Sequence, residues 1–198
     1  MAAPRIDVVT RTGLRIRLRL GSAADADALV AGFAHLGLES RYHRFFTAMP
    51  RLPDHLLDAF LDLDDETRLA IAAFDPARPS EVGSDDGFGI GVARYLPADT
   101  DQATAELAVT VIDEYQSQGV GRVLLEALVV GGLHGGLRSL YGYVMYDNAG
   151  MVSLFRRLGG RDQHVERPEP GARRIAIDLE AAATALGPRR EQYAELFR

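Results

Sequence analysis

A lone glutamate and a short turn that contains two glycines are the residues of this sequence best suited to chemistry. Glu106 stands at the head of an apolar stretch that ends at Ile112. A carboxylate there can accept a proton as a general base, or it can be a solvated strand end. Gln116, Gly119 and Gly121 follow, at the expected start of a helix. Glycines allow a ligand close to the backbone, and the first N–H groups of a helix lack intrahelical partners, so this turn is suited to bind a diphosphate.

Two well-known turn motifs do not fit these residues. A dinucleotide-binding fingerprint needs a third glycine at the position of Leu124. A hydrolase nucleophile elbow at Ser117 needs a glycine at the position of Tyr115. An ordinary strand, turn and helix with glycines that serve only packing remains an alternative.

The composition excludes several classes of function. The chain has 198 residues and no cysteine, which excludes disulfide scaffolds and thiolate zinc sites. It also has no lysine, so all 22 basic residues are arginine, and Walker A and Schiff-base chemistry are excluded. The net charge of −6 argues against nucleic acid as a partner. The five histidines form no zinc motif, and no metal site is predicted.

The sequence gives no sign of a membrane association. The longest apolar runs are shorter than the roughly 18 residues of a membrane span, and the first residues lack the apolar region of a secretory signal. We therefore expect a cytoplasmic protein.

The hydrophobic periodicity predicts alternating groups of strands and helices. Leu14–Leu20 alternates strictly between apolar residues and arginines, which indicates a half-buried strand whose arginines face outward. The other predicted strands are Arg68–Phe74, Gly87–Leu96, Ala105–Ile112, Ser139–Met145, His164–Arg167 and Arg173–Leu179. The predicted helices are Ser22–His35, Glu39–Phe46, Asp54–Leu63, Gly119–Val130 and Asn148–Leu158, with a glycine-rich turn at Gly131–Gly136.

This order of elements predicts an α+β fold. Consecutive strands followed by strand–helix–strand crossovers give a mixed, mostly antiparallel sheet that helices cover. We expect a single domain over residues 1–180 and a helical C-terminal tail over residues 181–198.

Two motifs resemble those of the GCN5-related N-acetyltransferases (GNAT). Gln116, Gly119 and Gly121 match the first motif, and Asn148, Met151, Phe155 and Leu158-Gly159 resemble the helix that follows in that family. The resemblance covers roughly Leu14–Leu179. It implies the GNAT fold, an acyltransferase activity and acetyl-CoA as cosubstrate. The cofactor-binding residues that it implies are Val109, Val111, Gln116, Ser117, Gln118, Gly119, Val120, Gly121, Arg122 and Asn148.

A narrower resemblance concerns the acceptor. The segment Ser40–Phe46 looks like the acetyltransferase domain of bacterial Pat-type protein lysine acetyltransferases, and so does the segment around Glu106. This resemblance implies Glu106 as general base, Tyr42, Arg44 and Phe45 at the acceptor site, and a protein lysine as acceptor.

Several alternatives stay open at this stage. The acceptor could instead be a small amine, or the domain could bind acyl-CoA as a sensor without catalysis. Acceptor choice would lie in the loops around Ala23–Leu63 and in the turn Pro168–Gly171. Many relatives carry a tyrosine as general acid where this chain has Phe155, which cannot donate a proton.

Overall fold

A computed structural model describes residues 4–64, 67–98, 101–165 and 170–198. Its strands are β1 (Arg5–Val9), β2 (Arg15–Leu20), β3 (Leu69–Asp75), β4 (Phe88–Ala98), β5 (Asp101–Val111), β6 (Ser139–Met145), β7 (Arg161–Gln163) and β8 (Ala172–Asp178). Its α-helices are α1 (Ala26–Ala34), α2 (Leu38–Phe45), α3 (Asp54–Leu61), α4 (Val120–His134), α5 (Ala149–Arg157), α6 (Leu179–Leu186) and α7 (Arg189–Ala194).

The strands form one mixed sheet in the order β1-β2-β3-β4-β5-β6-β8-β7. All neighbouring pairs are antiparallel except β5 and β6, which run parallel. Because parallel strands need a crossover connection, α4 lies between these two strands in the sequence and packs on the sheet.

The parallel pair β5–β6 separates after only three residue pairs. The pairing ends at Glu106 and Tyr141, whereas β4 continues to pair with β5 as far as Val111. Among the described residues, the second half of β5 therefore has a sheet neighbour on one side only, and the gap on its other side is open to a ligand.

The glycine-rich segment Gly131–Gly136 was predicted as a turn, and this prediction is wrong for its first four residues. Helix α4 continues through Gly131 and Gly132 to His134. A Cβ at Gly131 would lie 2.8 Å from the Phe197 ring, and one at Gly132 would lie 2.9 Å from a Leu179 methyl group. These glycines serve the close packing of the C-terminal segment on α4, not chain reversal.

The first predicted strand is present, but one of its arginines does not face solvent. Arg19 is buried and forms ion pairs with Asp25 and Asp86, and its guanidinium lies over the Phe74 ring. Strand β1, which the sequence analysis did not predict, pairs with β2 and brings Arg5 to the same Asp86.

The strand predicted at His164–Arg167 lies earlier, at Arg161–Gln163. Two residues of that predicted strand (166 and 167) and two of the predicted turn Pro168–Gly171 (168 and 169) lie outside the described residues. None of the described helices has the length and apolar character of a membrane span.

The C-terminal segment packs against α4 and against the β1–β2 hairpin. Helices α6 and α7 contact α4, and the short helix that follows α7 contacts β1 and β2. Tyr193 and Leu196 are fully buried in the core. The end of the chain therefore packs along α4, the helix that begins directly after Gly119.

Candidate active site

One cleft connects Glu106, the gap beside β5 and the N terminus of α4. Its volume is about 890 Å³, and its walls include the second half of β5, the first turn of α4, helix α5 and the end of β1. Clefts that bind small molecules and cofactors typically measure about 300–1,000 Å³. The cleft is therefore large enough for an extended cofactor.

The peptide groups of Val109 and Val111 face this gap. Ile112 donates its N–H to Ile90 O on β4, at 3.1 Å, and peptide groups alternate in direction along a strand. Val109 and Val111 therefore direct their N–H and C=O groups away from β4. The Val111 carbonyl accepts a hydrogen bond from the Gln116 side chain there, at 3.1 Å.

The turn before α4 has left-handed backbone at two residues. Ser117 has φ +60° and Gly119 has φ +91°. Left-handed residues in such a turn curl successive N–H groups towards one concave face, which suits an anion. Ser117 carries a side chain in this strained conformation, a feature that is common at functional sites.

The structure divides the predicted cofactor residues into two groups. Eight of them line the cleft, namely Val109, Val111, Gln116, Ser117, Gly119, Gly121, Arg122 and Asn148. Val120 is instead buried in the core, and Gln118 donates its side-chain N–H to Glu114 O at 2.7 Å. Val120 could therefore reach a ligand only through its backbone, and the side chain of Gln118 is directed to the preceding turn.

Gln116 braces the turn. Its Nε2 atom lies within 3.1 Å of Val111 O, Ser40 Oγ and Asp113 Oδ1. The side chain thereby connects the end of β5 to helix α2, and so holds the N terminus of α4 in position relative to the gap.

Glu106 lies where β5 and β6 separate, at the mouth of the cleft. Tyr141, its register partner on β6, directs its hydroxyl to Glu106 Oε2 at 3.4 Å, a long contact for an O–H donor. Burial and the charge of Glu106 raise the pKa of Tyr141. The tyrosine therefore stays protonated near neutral pH.

Two arginines lie beside Glu106 on the same face of the sheet. Arg44 reaches from α2 and donates to Thr110 Oγ1 at 3.1 Å. Burial lowers the pKa of Arg44 to about 10, with a further contribution from the positive charge of Arg94, while the Glu106 carboxylate opposes the shift. Arg44 therefore remains charged at neutral pH and faces the carboxylate.

Arg94 is buried at a small cavity next to the cleft. The cavity has a volume of about 110 Å³ and is lined by both arginines and by Phe60. Arg94 donates to Ala59 O, and within the described part of the chain its Nε and Nη1 atoms have no hydrogen-bond partner. Burial lowers the pKa of Arg94.

The three predicted acceptor residues have different positions. Arg44 lines both the cleft and the cavity. Phe45 packs inward against Phe33 and Phe60, so its side chain faces the cavity and not the cleft. Tyr42 is exposed and lines neither the cleft nor the cavity.

Helix α5 begins at the cleft. Asn148 caps it by accepting a hydrogen bond from Met151 N at 3.0 Å. Phe155 is buried, and its ring lies so close to Gly142 that a Cβ there would be 2.8 Å from it. A phenyl ring in this place can contribute packing but no proton.

The cleft is positively charged although the protein is not. The described residues that line it include one carboxylate, Glu106, and five arginines, Arg11, Arg44, Arg122, Arg157 and Arg189. The whole chain carries −6. The field of such a cleft attracts a polyanion.

Sequence reasoning did not identify Tyr141, Arg94 and Arg189 as residues of this region. A tyrosine in a predicted strand gives no sign that its register partner is Glu106. Arg189 lies 63 residues along the chain from Glu126, the carboxylate to which it donates a hydrogen bond. Among the described residues, no group of three or more His, Asp or Glu side chains could hold a metal ion.

Residues 38–160 match the acetyltransferase (GNAT) family. The acetyltransferase Pat of Mycolicibacterium smegmatis is 29% identical over 155 residues, which are 78% of this chain and 44% of that protein. The chain thus matches less than half the length of this relative.

Solved structures share the fold. The GNAT domain of the S. lividans PAT protein superposes with a TM-score of 0.76 at 29% identity, covering 88% of this chain and 96% of that domain. The yncA protein of Salmonella typhimurium, described with its cofactor acetyl-CoA, has a TM-score of 0.62 at 17% identity, covering 83% and 94%. The predicted fold class is confirmed.

Proposed function

The chain belongs to the acetyltransferase (GNAT) family, and from that premise we propose that it transfers an acetyl group from acetyl-CoA to an amine, with Glu106 accepting the proton that the amine loses. The observation that carries the proposal is the position of Glu106, at the mouth of an arginine-lined cleft that leads to the N terminus of α4. The predicted family and enzyme class agree with this match.

The residues of the cleft fit acetyl-CoA as cosubstrate. The left-handed turn before α4 presents peptide N–H groups, the cleft is rich in arginine, and the edge of β5 is open beyond Glu106. The diphosphate would bind the N–H groups from Gln118 to Arg122, and the pantetheine arm would lie along Val109, Val111 and Asn148. Acetyl-CoA supplies an activated acyl thioester.

Glu106 would act on the acceptor. An alkyl ammonium group has a pKa near 10.4 and must lose a proton before its nitrogen can attack. Glu106 would take this proton, directly or through one water molecule. Arg44 favours the charged form of the carboxylate, which is the form that a base needs.

The peptide N–H groups beside the gap would stabilise negative charge. The acyl oxygen gains charge as the amine attacks, and preorganised N–H donors lower that barrier. Val109 directs its N–H into the gap and is suited to this role. With Phe155 in place of a tyrosine, the thiolate would leave without a proton from that residue, which a thiol with a pKa near 8.5 tolerates.

We propose a protein lysine as the acceptor. Pat of M. smegmatis and the S. lividans PAT domain are the relatives that suggest it. Large apolar side chains are also exposed on the elements that flank the mouth, namely Leu38 and Tyr42 on α2 and Tyr146 after β6. His43 contacts Asp147 across the mouth at 3.2 Å, so these elements lie side by side. Such a rim is suited to contact a protein surface.

A small amine with a carboxylate group is the second candidate. The observation that favours it is the cavity of about 110 Å³ that both arginines line. An amino acid that places its amine at Glu106 could direct its carboxylate towards Arg44.

Binding of acetyl-CoA is the first test. At a hundredfold excess over its Kd, acetyl-CoA should stabilise the protein by about 2.7 kcal/mol. Differential scanning fluorimetry should therefore show a higher Tm, and Gly121→Asp, which adds bulk and negative charge to the turn, should abolish the shift. An unchanged Tm of the wild type would refute the proposed function.

The acceptor test compares proteins with free amines at equal lysine or amine concentration. An acyl-CoA synthetase is one suitable protein, and amino acids and polyamines form the panel of free amines. The chain has no lysine, so its own side chains give no background signal in mass spectrometry. Acetylation of protein lysines supports the first candidate, and turnover of a free amine alone supports the second. Binding of acetyl-CoA without CoA release in the presence of any of these acceptors would indicate a sensor and contradict both.

A further inference from the structure

A buried glutamate joins helix α4 to the C-terminal segment. The Glu126 side chain has no solvent exposure and accepts three hydrogen bonds from residues that the structure describes. Its Oε1 accepts from Arg122 Nε at 2.7 Å, and its Oε2 accepts from Arg189 Nη1 at 2.7 Å and from the Tyr193 hydroxyl at 2.9 Å. Burial and the charge of Glu126 raise the pKa of Tyr193, so its hydroxyl stays a donor.

Both arginines of this cluster also line the cleft. Their side chains are 35% and 42% exposed, for Arg122 and Arg189 respectively. Each guanidinium group has five N–H donors, so each keeps donors beyond its bond to Glu126. Two positive charges and one negative charge leave the cluster with a net charge of +1, at the surface of the cleft.

The cluster lies next to the turn that would bind the diphosphate. Arg122 belongs to the first turn of α4, and Glu126 lies one turn further along, a rise of about 5.4 Å. Gln192 Nε2 donates to Asp7 O on β1 at 3.2 Å, and Thr12 Oγ1 donates to Gln118 O at 2.9 Å. Helix α7, the β1–β2 hairpin and the turn therefore form one wall of the cleft.

We propose that Arg122 and Arg189, positioned by Glu126, form a subsite for a phosphate group at the nucleotide end of acetyl-CoA, an inference that rests on the proposed function. The pantetheine arm lies towards Glu106, so the nucleotide lies on the other side of the diphosphate turn. A guanidinium fixed by a buried carboxylate loses little conformational entropy on binding, and bonds between charged partners are the strongest hydrogen bonds. The C-terminal segment thereby contributes to cofactor recognition.

The test uses one substitution, one control and three ligands. Arg189→Gln removes the charge and keeps a donor for Glu126. Arg190→Gln is the matched control, because Arg190 is the next residue, is similarly exposed and pairs with Glu180 at 3.7 Å. Isothermal titration calorimetry measures the Kd of acetyl-CoA, of its 3′-dephospho form and of S-acetyl-4′-phosphopantetheine, which lacks the nucleotide.

Arg189→Gln should weaken acetyl-CoA binding about tenfold, as loss of a charged hydrogen bond does. It should leave the Kd of S-acetyl-4′-phosphopantetheine unchanged, which also shows that the variant is folded. Arg190→Gln should leave both values unchanged. A loss seen only with the 3′-phosphorylated ligand assigns the subsite to that phosphate, and a loss shared with the dephospho form but absent with S-acetyl-4′-phosphopantetheine assigns it to the 5′-phosphate of the nucleotide.

Two results would overturn the subsite while the proposed function stands. One is an unchanged Kd of acetyl-CoA in Arg189→Gln, and the other is an equal loss for acetyl-CoA and S-acetyl-4′-phosphopantetheine, which would show a structural role. If the wild type does not bind acetyl-CoA at all, the proposed function fails and the subsite fails with it.

Discussion

Gly119→Ala should weaken both the fold and the cofactor site, and Gly136→Ala separates these two effects. Both glycines have left-handed backbone, with φ +91° and +78° respectively. A side chain in this conformation costs about 1–2 kcal/mol. A Cβ at Gly136 would have no neighbour within 4 Å in the part of the chain that the structure describes, whereas one at Gly119 would lie 3.2 Å from Thr10 Cβ. Gly119→Ala therefore carries an additional cost from crowding at the turn.

The expected results follow from this difference. At about 2–4 °C per kcal/mol for a chain of this size, Gly136→Ala should lower Tm by about 2–8 °C. Gly119→Ala should lower it at least as much. Only Gly119→Ala should weaken acetyl-CoA binding, by tenfold or more, because the strained turn must shift and displace its N–H groups.

Scanning fluorimetry and calorimetry measure both quantities on the same samples. Wild-type affinity in Gly119→Ala would refute the placement of the diphosphate at this turn. An equal loss of affinity in Gly136→Ala would show that the effect comes from global destabilisation.

Three further predictions concern the Asp86 carboxylate, the Arg44 guanidinium and the Tyr141 hydroxyl. Asp86→Asn should lower the free energy of unfolding by about 1–3 kcal/mol, because the hydrogen bonds from Arg5 and Arg19 lose their charged acceptor while Arg19 keeps its ion pair with Asp25. Burial acts to raise the pKa of Asp86, but hydrogen bonds from Arg5 and Arg19 hold this pKa below its usual value. The stabilisation by Asp86 is therefore present above the unfolded-state pKa of about 3.9 and is lost as the pH falls through the folded-state pKa. Urea titrations should show that the wild type loses stability in acid more steeply than Asp86→Asn does. Arg44→Gln should lower kcat/KM for the acceptor and leave the Kd of acetyl-CoA unchanged; a change in Kd alone would contradict its place at the acceptor side. Tyr141→Phe should change kcat by no more than a few fold, since the 3.4 Å contact is weak, and a loss of a hundredfold would make its hydroxyl essential.

Local sequence patterns predicted much of the fold. Strand β6 begins and ends at the predicted residues, Ser139 and Met145, because its apolar run is bounded by clear turn signals. The turn before α4 was identified from Gln116, Gly119 and Gly121, and Gly119 has the left-handed backbone that favours glycine. Where an element depended on local preference, the prediction succeeded.

The failures concern contacts between distant parts of the chain. Gly131 and Gly132 were assigned to a turn because glycine disfavours helices, but the packing of Phe197 and Leu179 outweighs that preference. Arg19 was placed in solvent, since its partner Asp86 lies 67 residues away. The contact of Tyr141 with Glu106 depends on sheet register between strands joined by a helix. These arrangements follow from tertiary packing, and local periodicity does not encode them.

The kcat of Glu106→Gln, at saturating acetyl-CoA and with a lysine-bearing protein as acceptor, tests the central claim most directly. Glutamine has nearly the same shape as glutamate and cannot accept the proton. The account predicts a kcat about 10²–10⁴-fold below that of the wild type, with an unchanged Kd for acetyl-CoA. A kcat equal to that of the wild type would contradict the role of Glu106 as the base.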